Sequence, residues 1–91
     1  MKRQFPIIDA KATGENIRRR RLEQGFTTRD VQEYLHLADC KAVYNWQAGR
    51  TLPNLDNFYA LSLLLETTVN ALVAEIPRPD EIHKEDTHHG T

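Results

Sequence analysis

Ninety-one residues leave room for one small domain and not for two independent cores. With 40% apolar and 27% charged residues the chain is too apolar for disorder throughout, and its one cysteine, Cys40, excludes an internal disulfide framework. Net charge is −1, but ten Lys/Arg face six Asp/Glu in residues 1–50, against two and seven in residues 51–91. A positive half joined to a negative half points toward a polyanionic partner at one end.

In chain order, residues 1–12 form an N-terminal extension around Phe5–Ile8, the one stretch able to pair as an extended segment, on the domain or against a second subunit. The domain proper is expected over residues 13–76. Thr13 is expected to cap a first helix reaching Gln24, with Gly25 as its left-handed stop. Within it, Arg18–Arg21 spread around the helix at 100° per residue, so a solvated or snorkelling role is expected rather than a basic patch. Arg18 and Arg19 should point away from an inward Ile17, and Arg20 and Arg21 should flank the buried stripe. Thr27 and Asp30 form a capping pair for a second helix reaching Leu35, and His36-Leu37-Ala38 reads as a turn. Asp39 should cap a third helix over about residues 40–48, ended by Gly49.

After an Arg50–Pro53 loop, Asn54 should cap a fourth helix with Leu55, Phe58, Leu61, Leu64 and Leu65 inward. Thr68 should cap a short fifth helix carrying Val69, Leu72 and Val73. Residues 77–91 are polar and expected to be a mobile tail, whose His83, His88 and His89 lack a second cluster of metal ligands. The expected fold class is all-α, a compact five-helix bundle. No apolar run approaches the roughly 20 residues of a membrane span, and Met1–Pro6 lacks the apolar core of a secretory leader. The expected location is the cytoplasm.

The joint between the second and third helices, read as only about three or four residues, favours a steep crossing of the helix-turn-helix kind. A projecting helix about 10–12 Å across fits a major groove about 12 Å wide. On the third helix Ala42, Val43 and Trp46 form an apolar side, which leaves Lys41, Tyr44 and Asn45 outward. Lysine can donate to guanine O6 and N7, asparagine can pair with adenine, and tyrosine can touch a thymine methyl or a phosphate.

The stretch Gly25-Phe26-Thr27-Thr28, then Val31, Leu35, Val43, Trp46–Arg50 and Leu52-Pro53, continued by Leu61–Leu65 and Thr68–Leu72, resembles the Cro/repressor (XRE-like) helix-turn-helix regulators. The resemblance covers about residues 13–73 and implies a domain that binds operator DNA as a two-fold dimer. It places Lys41 and Asn45 at base-reading positions with Tyr44 beside them, and Thr28 and Arg50 on phosphates; Arg29 and Thr51 are expected to add phosphate contacts. It also matches Arg21 and Gln47 to a structural pair that is often Arg–Glu. Arg20 stands where leucine is frequent, with Leu22 expected to compensate in part.

Three departures stand out. Gln32 replaces a small residue of the second helix, His36 replaces the turn glycine, and the stretch from Leu35 to Trp46 is one residue longer. A large Gln32 would clash at a tight crossing, so the longer turn is expected to move the third helix outward.

Cys40, beside a helix start, reads either as a redox-active thiol or as a small residue of the DNA-facing surface, and the second is expected. No nucleophile–base pair, phosphate-cradling glycine loop or paired carboxylates can be recognised, so catalysis is not expected. The function expected is a sequence-specific, repressor-like DNA-binding regulator of bacterial or phage origin, needing no cofactor or metal. The alternative is an antitoxin-like module that grips a protein through an acidic surface from the fourth helix onward.

Overall fold

A computed structural model describes residues 5–77. Five helices account for its regular structure: α1 (Ala10–Gln24), α2 (Thr28–Tyr34), α3 (Lys41–Ala48), α4 (Leu55–Leu64) and α5 (Val69–Leu72). Among the described residues there is no named strand, and no helix is long and apolar enough to cross a membrane.

Short polar side chains set most of the helix starts. The Thr27 hydroxyl accepts from the Asp30 N–H at 3.0 Å while the Asp30 carboxylate accepts from the Thr27 N–H at 2.8 Å, a complete capping box. Asn54 and Thr68 accept from Asn57 and Ala71 in the same manner. Two of the expected starts are different. The first helix begins at Ala10, capped by Asp9, whose carboxylate accepts from the Ala12 N–H at 3.0 Å. Thr13 is instead fully buried, and its hydroxyl accepts from the Ala74 N–H at 2.9 Å. That bond serves the C-terminal segment, so the hydroxyl is satisfied inside the core and not at a helix end. The cap position of α3 is Cys40, without a side-chain capping bond, while Asp39 reaches past it to the Lys41 N–H at 2.9 Å.

Both expected glycine stops are present. Gly25 (φ 80°) and Gly49 (φ 79°) adopt the left-handed conformation that closes α1 and α3.

Ile17, Val31, Val43, Trp46, Phe58, Leu61, Leu65 and Leu72 form one core drawn from all five helices and the end of α4. Trp46 lies in it as its spacing from Val43 predicts. Leu55 does not: it is 75% exposed, on the same side of α4 as exposed Tyr59 and Leu63, and Phe58 is the first residue of that helix to reach the core. Leu22 is also exposed and fills nothing for Arg20.

The closest crossing is between α1 and α3. A Cβ added at Gly14 would lie 2.1 Å from the Trp46 carbonyl oxygen and 2.8 Å from that of Gln47, so only glycine lets the two backbones meet there. Arg21, at the far end of the same contact, donates through Nε to Gln47 Oε1 at 2.9 Å and through Nη1 to the Phe26 carbonyl at 2.8 Å.

Of the Phe5–Ile8 stretch, Ile7 and Ile8 pair as extended chain, and their partner is the chain's own residues after α5. Ile8 and Glu75 form an isolated antiparallel bridge. The Asp9 N–H donates to the Ala74 carbonyl and the Ile76 N–H to the Ile7 carbonyl, both at 2.8 Å. Residues 78–91, with the three tail histidines, lie outside the described residues.

Candidate nucleic-acid interface

Burying Val43 and Trp46 fixes the rotation of α3, and its opposite face follows from the 3.6-residue period. Lys41, Tyr44, Asn45 and Ala48 fall on that face at i, i+3, i+4 and i+7. Lys41, Tyr44 and Ala48 are exposed and Asn45 is half-buried. Tyr44 is 56% exposed, a large ring held at the surface.

The loop after α3 joins this face. Gly49 turns the chain so that the Arg50 N–H donates to the Asn45 carbonyl at 3.0 Å. The Arg50 guanidinium then returns over the helix end, where Nη1 donates to Asn45 Oδ1 at 3.3 Å. One candidate base-reading residue and one candidate phosphate-binding residue are thereby in contact, with exposed Thr51 next in the chain. The Asn45 amide nitrogen, its donor end, takes no part in that bond.

Thr28 is the first residue of α2 and half-buried. Arg29 is exposed, with its Nε 3.4 Å from Glu33 Oε2. An exposed pair one helical turn apart is worth a fraction of a kcal/mol, so a phosphate could draw Arg29 away at little cost. Among the described residues Lys11, Arg18, Lys41 and Arg50 form no ion pair.

The α2–α3 connection spans Leu35–Cys40, six residues rather than the three or four expected. Gln32 is the residue it is built around. Its amide nitrogen donates to the Leu37 carbonyl at 3.2 Å, and its amide oxygen accepts from the Cys40 thiol at 3.1 Å. His36 takes the left-handed conformation (φ 57°) that glycine adopts more easily. Cys40 is thus a half-buried hydrogen-bond donor at the base of α3.

The other cations divide as their angular positions predict. Arg18 and Arg19 are exposed, and Arg21 is buried. Arg20 has a role that its position on α1 does not reveal. Its Nε donates to the Leu65 carbonyl and its Nη2 to that of Glu66, both at 2.8 Å, which places a cation on the two carbonyls that follow α4. Lys11 is a further residue that sequence reasoning passed over. A Cβ added at Gly49 would lie 2.6 Å from the Lys11 Cα, so the first turn of α1 abuts the loop that carries Arg50.

No protein-family model matches this chain, and no curated protein matches it. Among the described residues, no group of three or more His, Cys, Asp or Glu is placed to hold a metal ion.

Proposed function

We propose that the protein is a sequence-specific, DNA-binding transcriptional regulator of the Cro/repressor type. In this reading α2 and α3 act as a helix-turn-helix, and the protein works as a two-fold dimer in a bacterial or phage-infected cytoplasm. One observation carries the reading: exposed Lys41 and Tyr44, with half-buried Asn45 beside them, share one side of a helix whose other side is locked into the core by Val43 and Trp46. A short helix presented in this way can enter a major groove, with its early residues against base edges. Lys41 and the free amide end of Asn45 supply donors, and Tyr44 supplies a ring for a thymine methyl. Arg50, Thr51, Thr28 and Arg29 hold phosphates and set the register, and the charge of the two arginines displaces condensed counterions. No cofactor is needed for this mechanism.

The test is retention of the full chain on immobilised duplex DNA, its loss as salt rises, and footprinting of genomic fragments that the protein selects. Lys41→Ala should cost about 1–3 kcal/mol of discrimination at one base position. Arg50→Ala should weaken selected and random duplexes alike and reduce the salt slope by about 1. Equal effects of both changes on selected and random DNA would contradict the assignment.

A second reading is favoured by α4. Leu55, Tyr59 and Leu63 are 75%, 60% and 55% exposed at i, i+4 and i+8. Residues 51–77 contain Asp56, Glu66 and Glu75 and no Lys or Arg. An apolar stripe beside acids suits a protein partner, as in an antitoxin. Indifference to DNA together with a stable protein complex through α4 would favour this reading over the first.

A further inference from the structure

We infer that Lys11 is an additional phosphate-binding residue and grips the same DNA strand as Arg50 and Thr51. The inference rests on the DNA-binding reading above. It starts from a backbone contact, since the position of a Gly49 Cβ would lie 2.6 Å from the Lys11 Cα and 3.1 Å from its Cβ. The lysine stem therefore leaves α1 directly beside the turn that delivers Arg50. That turn is fixed from the other side by the Arg50 bonds to Asn45.

Both anchors are rigid. Asp9 caps the turn of α1 that bears Lys11, and Thr13 half a turn further on is buried and bonded to Ala74. The neighbouring Asp9 carboxylate is engaged with the Ala12 N–H, and neither Lys11 nor Arg50 forms an ion pair among the described residues. The two side chains start from adjoining backbone at Lys11 and Gly49, and like charges extended from one place toward solvent are stabilised by anions, which successive phosphates of one strand supply. Lysine suits the place because its ammonium is a point charge on a flexible stem, needing no fixed angle of approach.

The nearest competing explanation is charge alone. Arg18 lies seven residues on, on the same side of α1 about 10 Å away, exposed and without an ion pair among the described residues. That separation is about a Debye length at 0.1 M salt, so contact and general field are separable.

The experiment measures binding of the full chain to a selected duplex and to a random one by fluorescence anisotropy, over a salt titration. Wild type, Lys11→Ala, Lys11→Arg, Arg18→Ala and Arg50→Ala are compared, each checked for an unchanged melting temperature by circular dichroism. Lys11→Ala is expected to lower affinity several-fold for both duplexes at 0.1 M salt and to reduce the salt slope by about 0.9. Lys11→Arg should retain both, and Arg18→Ala should lose clearly less. Unchanged affinity in Lys11→Ala, while Arg50→Ala loses it, overturns the inference and leaves the DNA-binding reading standing. Equal losses in Lys11→Ala and Arg18→Ala overturn it in favour of a diffuse field. A lowered melting temperature with unchanged affinity assigns Lys11 to the stability of α1 and overturns it also. A wild-type chain that binds neither duplex removes both the inference and the reading beneath it.

Discussion

Gly14 shows how much one hydrogen atom in place of a methyl group can decide. Alanine in mid-helix is normally favoured over glycine by about 1 kcal/mol. Here its Cβ would come within 2.1 Å of the Trp46 carbonyl oxygen, a backbone atom that cannot rotate aside. The steric penalty should win, so Gly14→Ala is expected to destabilise by about 1–3 kcal/mol net. In a domain of this size that lowers the melting temperature by roughly 5–20 °C, readable by circular dichroism. Arg20 makes the opposite case, a polar side chain where an apolar one would be expected. Arg20→Leu should lose about 1–3 kcal/mol in a denaturant titration, because two carbonyls beyond α4 lose a charged donor. An unchanged or improved midpoint would mean that leucine packing replaces those bonds in full.

At the scale of elements, Gln32 and the connection after it form one unit. The Gln32 side chain bonds to both Leu37 and Cys40 and so ties α2 to the far part of the six-residue connection. Deleting Ala38 should therefore abolish cooperative unfolding, and a second change, Gln32→Ala, should restore it. A deletion variant that unfolds normally without that second change would break the proposed link between side-chain size and turn length. The helices themselves were legible because their signals are local. Thr27–Asp30, Asn54, Thr68, Gly25 and Gly49 act within one turn and are found where sequence places them. Local signals do not settle the start of α1, because Asp9 and Thr13 are both good caps and the amide that engages the Thr13 hydroxyl comes from distant Ala74. Periodicity puts Leu55 with the inward leucines, but burial of Ser62 beside Phe58 and Leu61 rotates the inward side of α4 away from it, leaving Leu55 with exposed Tyr59 and Leu63.

For the molecule as a whole, legibility falls with sequence separation. Lys41, Tyr44 and Asn45 share a face for reasons contained within α3. The proximity of Lys11 to Gly49, the service of Arg20 to α4 and the glycine crossing at Gly14 each join segments far apart in the chain. A glycine inside an otherwise good helix was the one visible hint of such a crossing. The antiparallel bridge between Ile8 and Glu75 belongs to this long-range class and has a topological consequence. Because Ile7 and Ile76 are hydrogen-bonded neighbours, the path from one to the other is almost a closed ring, and where that ring is cut should matter little. A circular permutant that begins at Asp39, joins residue 77 to residue 5 through a short Gly/Ser linker and ends at Ala38 should melt in one cooperative transition. Loss of that transition would show that the order of the helices along the chain is itself required. If it is retained, partners fused before residue 5 and after residue 77 of the natural order would emerge side by side from a single edge.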